Sequence, residues 1–130
     1  MELKVADSTV LIDLIKGRKE ALELLRNNET LLTTQINMYE IIKGFYLFGI
    51  SHKKIQAAIE MFENIRVLSL DDKSIMESSR IFSELSKKGQ EIQDVDCLIA
   101  GIALSNGATT IITRNKKHFS RIKGLKVETY

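Results

Sequence analysis

Short apolar runs alternate with longer amphipathic segments along the whole of this 130-residue chain. The short runs predict strands at residues 3–6, 31–34, 66–70, 109–113 and 125–129. The longer segments place apolar residues every three or four positions, which predicts helices near residues 10–15, 18–26, 38–45, 51–64, 73–87 and 94–106. The alternation favours an α/β fold with a mainly parallel sheet, because parallel strands need crossover connections that are usually helical.

Length and composition favour one soluble unit. A chain of 130 residues with 44% hydrophobic content can bury a core of its own, so we predict a single domain over residues 1–130. No stretch reaches the length of a membrane span, and we expect a cytoplasmic protein without a membrane part. The single cysteine, Cys97, falls in an apolar helical segment and is interpreted as a small buried hydrophobe rather than a nucleophile.

Charge is distributed unevenly along the chain. Residues 111–130 contain six Lys or Arg and one acid, so they carry +5, and residues 1–110 carry −3. A basic strip beside an acidic body suits the backbone of a polyanion such as a nucleic acid. An ordinary solvated face explains the same strip equally well, so charge alone leaves both interpretations open.

Three acids far apart in sequence each lie at the edge of an apolar segment: Asp7, Glu40 and Asp96. Polar Asn115 follows the predicted strand at residues 109–113. In parallel sheets, ligands bind beyond the carboxyl ends of the strands, so these side chains can converge there. Two carboxylates about 5 Å apart repel each other by about 3 kcal/mol at an effective dielectric of 20, so a cluster favours a cation. Carboxylates suit Mg²⁺ or Mn²⁺, and such a metal beside a basic strip suggests phosphodiester chemistry.

Helix capping is the competing explanation for these acids. Asp7 precedes a predicted helix and could cap it, and Asn37 followed by Glu40 resembles a capping box. Asp94 could cap the helix at residues 94–106, with Asp96 favouring the positive end of its dipole. Three further acids are expected on the solvated surface or at helix starts: Asp13, Asp71 and Asp72.

The two histidines are too few for a histidine-based zinc site or for paired-histidine ribonuclease chemistry. His52 is expected on the surface at a helix start. His118 is expected to pack or to touch phosphate rather than to catalyse.

The chain resembles PIN-domain ribonucleases, and in particular the small VapC-type toxins of prokaryotic toxin–antitoxin pairs. Three segments carry the resemblance: VADSTVLIDLI, TTQINMYEIIKG and GQEIQDVDCLIAGIALSNGATTIITRNKKHFSRIKGLKV. Together they cover essentially the whole chain. The resemblance implies a three-layer α/β/α sandwich around a mainly parallel sheet of about five strands.

The resemblance also implies roles for individual residues. Asp7, Glu40 and Asp96 match the acids that bind Mg²⁺ or Mn²⁺, which activates water for attack on an RNA phosphodiester. Asn115 stands where many members carry Asp, which implies an oxygen donor without charge and a weaker second metal. Ser8 and Thr9 match hydroxyl residues that support the metal shell, and Asp94 is an additional acid that either assists or only caps its helix. The residues matching substrate contacts are Thr113, Arg114, Lys116 and Lys117.

VapC-type proteins usually form homodimers and are inhibited by a small antitoxin, so the resemblance implies both partners in addition to an RNA substrate. The apolar helices around residues 41–48 and 55–62 are candidate surfaces for them, although Phe45, Phe48 and Phe62 are also candidates for ordinary core.

The function alternatives are a housekeeping PIN nuclease in RNA processing and a catalytically inactive relative that binds RNA or dimerises. Asn115 keeps the inactive alternative open. A phosphoacceptor signalling domain of the receiver type is disfavoured, because Glu40 lies within a helical pattern and Asp96 opens one.

Overall fold

The computed structural model describes residues 2–27 and 31–130. Its five strands are β1 Lys4–Ala6, β2 Leu31–Thr34, β3 Arg66–Leu68, β4 Thr110–Ile112 and β5 Lys126–Glu128. Its helices are α1 Ser8–Ile15, α2 Lys19–Asn27, α3 Gln35–Leu47, α4 His52–Glu63, α5 Asp72–Lys87, α6 Asp94–Ser105 and α7 Lys116–Phe119. The strands lie in the order β3-β2-β1-β4-β5, and every pair is parallel. The predicted α/β fold with a mainly parallel sheet is confirmed.

Both faces of the sheet are covered by helices, because successive strand residues point to opposite sides. Val5 and Ile111 pack into one apolar cluster with residues of α5 and α6. Their neighbours Ala6 and Ile112 pack into a second cluster with residues of α1, α3 and α4. The result is the three-layer α/β/α sandwich that the family resemblance implies.

The parallel register brings several chain turns to one edge of the sheet. Ala6 pairs with Ile112, and Val5 pairs with Leu32, so that β1, β2 and β4 end near one another. α1 and α3 begin directly after β1 and β2 at this edge. Side chains at the starts of these helices can therefore meet residues that follow β4.

Two of the proposed helix caps are wrong. The cap of α3 is Thr34, whose side chain accepts from the backbone N–H of Asn37, so Asn37 lies inside the helix. The cap of α6 is Gln93, and Asp94 is the exposed first residue of that helix. Asp7 does occupy the capping position of α1, but its side chain makes no capping hydrogen bond and serves other partners.

The remaining departures from the sequence predictions are small. The predicted strands and helices occur within a few residues of their expected bounds, and α7 is an additional helix of four residues. A helix of four residues is too short to show a 3.6-residue period, so no apolar pattern predicted α7.

Asp71 caps α5 in a capping box with Ser74, which agrees with its predicted place at a helix start.

Cys97 is buried within α6, as expected for a small hydrophobe. Burial raises the pKa of its thiol to about 11, with a smaller contribution from Asp94 and Asp96, so the reactive thiolate is disfavoured. Within residues 2–27 and 31–130, no helix has both the length and the apolar composition needed to cross a membrane.

Gly101 allows α5 and α6 to approach each other closely. A Cβ atom at this position would lie 1.9 Å from the Ser78 Oγ and 2.7 Å from the Ser78 backbone nitrogen. We expect Gly101→Ala to lower the free energy of unfolding by about 3 kcal/mol, because the clash involves backbone. Gly44→Ala in α3 is the matched control: no atom lies within 4 Å of its added Cβ, so it should gain about 0.5–1 kcal/mol. Urea unfolding of both variants measures the difference, and equal stabilities would refute the tight approach.

Candidate metal and nucleic-acid site

Asp7 lies at the centre of the polar cluster at the carboxyl edge of the sheet. Its backbone N–H donates to the Ile112 carbonyl over 3.0 Å, which fixes it between β1 and β4. Its buried carboxylate accepts from the Asn37 Nδ2 at 3.0 Å on one oxygen and from the Thr113 Oγ1 at 2.6 Å on the other. Both donors are neutral, so they orient the carboxylate without cancelling its charge.

Asn37 is a site residue whose role the sequence did not reveal. Its side chain is 0% exposed, and its Nδ2 donates to both Asp7 and the Ser8 Oγ, the latter over 3.0 Å. Its Oδ1 accepts from the Thr34 Oγ1 at 2.7 Å. Asn37 therefore ties the start of α3 to the start of α1. Asn37 and Glu40 are three residues apart. That spacing suggested a capping box, but it also places the two side chains on one face of α3.

Glu40 is held against the start of α1 by Ser8, whose hydroxyl donates to the Glu40 Oε1 over 3.0 Å. Burial raises the pKa of Glu40, the Ser8 hydrogen bond opposes the rise, and the charges of Asp7 and Asp96 add to it. The three carboxylates therefore belong to one electrostatic cluster, although Asp7 precedes α1, Glu40 lies in the second turn of α3 and Asp96 lies in α6.

Asp96 completes the cluster from the first turn of α6, where it is nearly buried. Burial raises the pKa of its carboxyl, a hydrogen bond from His118 opposes the rise, and Asp7 raises the pKa further. The contact joins the Asp96 Oδ2 to the His118 Nδ1 over 3.0 Å. Exposed Asp94 lies two residues earlier.

Asn115 and His118 close the cluster on the β4 side. The backbone N–H of Asn115 donates to the Thr113 Oγ1 over 2.9 Å, and its side-chain Nδ2 lies 3.2 Å from the His118 Nδ1. His118 was expected to pack or to touch phosphate, and the structure adds its contact with Asp96. A histidine in a short helix after β4 carries no signal of its own in the sequence, so this contact could not be foreseen.

The donor set suits a hard cation, but the side chains are not arranged around one. In the described part of the chain, no group of three acidic, histidine or cysteine side chains is placed to hold a metal ion. Instead the carboxylates accept hydrogen bonds from neutral groups and from His118. Burial is the main cause of the raised pKa values of Glu40 and Asp96, and neighbouring carboxylates raise them further, so a bound cation would favour the ionised forms of both groups. On this chemistry the residues fit Mg²⁺ or Mn²⁺.

The basic residues predicted to contact phosphate fall into two groups. Lys116 and Lys117 are exposed at the start of α7, beside the cluster. The guanidinium of Arg114 instead forms an ion pair with Asp13 at 3.2 Å and lies over the Tyr130 ring. The prediction that Asp13 lies on the solvated surface or at a helix start is wrong. Its side chain is nearly buried within α1 because cationic partners compensate its charge.

The raised pKa values predict a pH-dependent stability of the metal-free protein. A carboxyl whose pKa is higher in the folded state than in the unfolded state stabilises the fold below its ordinary pKa, here 4.5 for Glu40. That contribution is lost as pH rises through the raised value. We therefore expect Glu40→Gln to be more stable than the wild type at pH 8, by at most about 1 kcal/mol because partial exposure screens the charges, and to lose that advantage near pH 4.

Urea unfolding across this pH range in chelator measures the effect, with Glu63→Gln as the control at an exposed glutamate at the end of α4. The control should track the wild type at every pH. A Glu40→Gln difference that does not change with pH would contradict the assigned electrostatics.

The sequence matches a known protein family and named relatives over nearly its full length. The model of the PIN domain matches residues 4–125. The chain belongs to the PIN-domain family. Ribonuclease VapC1 of Methanocaldococcus jannaschii is 32% identical to this PIN domain over 126 residues, which are 95% of this chain and 85% of that protein. The tRNA(fMet)-specific endonuclease VapC of Salmonella typhimurium is 28% identical over 127 residues, which are 95% of each chain.

Solved structures agree with the sequence relatives. The DNA-bound VapBC structure from Salmonella typhimurium contains a chain that superposes on this PIN domain with a TM-score of 0.85 at 27% identity. The match covers 99% of this chain and 98% of that one. The resemblance to VapC-type PIN domains, stated from three sequence segments, is confirmed.

Proposed function

We propose that this PIN domain is a Mg²⁺- or Mn²⁺-dependent endoribonuclease and the toxin of a type II toxin–antitoxin pair. The observation that carries the proposal is the gathering of Asp7, Glu40 and Asp96 at the carboxyl edge of the sheet, where two of them have raised pKa values. Relatives named as ribonucleases over nearly the full chain support the same reaction class.

The three carboxylates would hold the cation, each supported by a neighbour. Asn37 and Thr113 fix the Asp7 carboxylate, and Ser8 orients Glu40. A bound Mg²⁺ or Mn²⁺ supplies activation of water and stabilisation of the charge that develops on the phosphate. Glu40 and Asp96 must both lose their protons to act as ligands, and their raised pKa values make proton and metal compete. Metal affinity should therefore rise with pH.

Substrate contacts would come from the segment after β4. Thr113 and Asn115 border the carboxylates and are suited to orienting water or a phosphate oxygen. Lys116 and Lys117 carry exposed positive charge beside the cluster and would bind flanking phosphates. Because Asn115 brings no charge, a second cation would depend on oxygens supplied by the substrate phosphate.

An exposed apolar surface on α3 supports the partner proposals. Tyr39, Tyr46, Leu47 and Phe48 are all more than half exposed, and Met38 and Ile42 line a groove beside them. An exposed apolar patch of this kind marks a protein interaction site. We assign it to a contact with a second copy of the chain or with a small antitoxin.

Phe45 and Phe62, the other two phenylalanines predicted as candidates for this surface, pack into the apolar interior. Phe62 belongs to the buried core, and Phe45 packs against it. Of these three phenylalanines, only Phe48, at the end of α3, remains available to a partner.

An RNA substrate and a small antitoxin both fit the proposed cytoplasmic location.

The proposal is tested by cleavage of labelled RNA after any co-purified small partner has been removed. Initiator tRNA is the first substrate to try, because the Salmonella typhimurium relative is named for it. Cleavage in Mg²⁺ or Mn²⁺ that stops in chelator is the expected result. RNA binding without cleavage would favour the inactive relative that Asn115 leaves open, and cleavage that is unaffected by chelator would contradict the metal assignment. An antitoxin reading frame beside the gene would separate the toxin from a housekeeping nuclease.

A further inference from the structure

Asp13, a buried acid outside the candidate site, contacts nearby Arg18 and two residues from distant parts of the chain, Arg114 and Tyr130. One carboxylate oxygen lies 3.2 Å from the Arg18 Nε, and the other lies 3.2 Å from the Arg114 Nη2. The Tyr130 hydroxyl donates to that second oxygen over 2.5 Å and lies 3.1 Å from the Thr9 carbonyl. Burial and the Asp13 hydrogen bond raise the pKa of Tyr130, so its phenol keeps the proton that it donates. We call Asp13, Arg114 and Tyr130 the clasp.

Arg114 is bound to α1 through both its side chain and its backbone. Its guanidinium pairs with Asp13 and lies 4.5 Å from the centre of the Tyr130 ring. Its backbone N–H donates to the Thr9 Oγ1 over 3.2 Å. Such a stacked and paired arginine is geometrically specific, because the planar guanidinium satisfies both contacts in one orientation.

The position of Arg114 in the chain links the clasp to the candidate site. The residue before it, Thr113, donates to Asp7, and the residue after it, Asn115, faces His118. Asp7 also begins α1, the helix that carries Asp13. The contacts therefore form a closed ring from Asp7 along α1 to Asp13, across to Arg114, and back through Thr113 to Asp7.

Exposed ion pairs contribute little to stability, and the clasp differs from them in two respects. The Asp13 side chain is nearly buried, and Tyr130 packs against the apolar cluster on the α1 face of the sheet. If Arg114 were removed, Arg18 would still pair with the first Asp13 oxygen, but the second oxygen would keep only the Tyr130 hydroxyl. Loss of Arg114 therefore weakens the compensation of a nearly buried charge.

We propose that Asp13, Arg114 and Tyr130 are positioning residues that hold the segment 113–115 against α1, so that Thr113 stays on Asp7. The catalytic consequence rests on the proposed nuclease function, whereas the structural link does not. The guanidinium of Arg114 is then used within the protein, and phosphate contacts fall to the lysines of α7.

Arg114→Lys separates the two roles of this residue. A lysine keeps the positive charge that a phosphate contact needs, but it lacks the planar group that pairs with Asp13 while stacking on Tyr130. If Arg114 holds the segment, kcat should fall about tenfold and KM should stay within about twofold. If Arg114 binds phosphate, the lysine variant should retain kcat.

Amide hydrogen exchange tests the clasp independently of catalysis. We would compare the wild type with Asp13→Asn, Tyr130→Phe and Arg114→Lys at the amides of Arg114 and Asn115, with the core amide of Ile99 as reference. Glu77→Gln is the control, because it neutralises a carboxylate that pairs with an arginine on α5, away from the site. Exchange at the two segment amides should rise about tenfold in the clasp variants, and Ile99 and the control should not change.

Two results would overturn the proposal. One is unchanged exchange at Arg114 and Asn115 in all three clasp variants. The other is faster exchange at these amides in step with Ile99, because that reports general destabilisation. Absence of RNA cleavage by the wild type would refute the proposed function alone, since the exchange experiment would still decide whether the clasp holds the segment.

Discussion

Replacing Asp96 with asparagine is expected to abolish metal-dependent RNA cleavage while leaving the fold intact. Asn keeps the shape of the side chain and its contact with His118, but it removes one of the three charges that would hold the cation. Stability should not fall, because burial and Asp7 already disfavour the ionised form of Asp96. We expect kcat to drop at least about a thousandfold, the size of effect that follows from several kcal/mol of lost charge stabilisation.

Asp94→Asn is the matched control for this prediction. Asp94 lies two residues earlier on the same helix start, and its side chain is exposed. Cleavage should remain within about twofold of the wild type, since a charge on an exposed first turn interacts weakly. Persisting full activity in Asp96→Asn would remove that residue from the active site. Equal loss in both variants would mean that charge at the start of α6, rather than ligation by Asp96, matters.

Asn37→Asp is expected to have the largest effect on stability among substitutions of similar shape. It replaces an amide donor, 3.0 Å from an oxygen of Asp7, by a carboxylate oxygen at a position that is 0% exposed. Two buried carboxylates in contact cannot both ionise, so the proton is held more tightly in the folded state. The variant should be about 3 kcal/mol less stable than the wild type near pH 7 and should recover part of the loss as pH falls.

Urea unfolding as a function of pH measures this loss. Asn64→Asp serves as control, because it makes the same chemical change at an exposed amide that donates to the Glu60 carbonyl. That variant should lose less than about 1 kcal/mol and show little pH dependence. Addition of Mn²⁺ should restore more stability to Asn37→Asp than to the control, since a cation relieves the repulsion. A stability loss that is the same at low and neutral pH would contradict the assigned contact with Asp7.

The sequence predicted the sheet, the helices and the meeting of Asp7 with Glu40 because each depends on local pattern. Alternating apolar segments specify strands and helices, and the carboxyl edge of a parallel sheet is where the intervening helices begin. This rule brings Asp7 and Glu40 together without knowledge of any side-chain contact. It does not place Asp96, because α6 follows α5 rather than a strand, and the family resemblance supplied that assignment.

Two of the misassigned residues, Asn37 and Asp13, have partners that lie far away in the chain. Asn37 fits a capping box and a same-face pair with Glu40 equally well, and its contact with Asp7, 30 residues away, decides between them. Asp13 looked like a surface acid because its partner Arg114 is about a hundred residues distant in sequence. Local pattern carries no information on such contacts, and only the packed fold supplies it.

Binding of Mn²⁺ to the metal-free protein is the measurement that tests the central claim most directly. Isothermal titration at fixed pH would compare the wild type with Asp7→Asn, Glu40→Gln, Asp96→Asn and Asp94→Asn. If three carboxylates form one metal site, each of the first three substitutions should weaken saturable binding at least about tenfold, and Asp94→Asn should leave it unchanged. Equal affinity in the wild type and all four variants would show that these acids do not hold the metal.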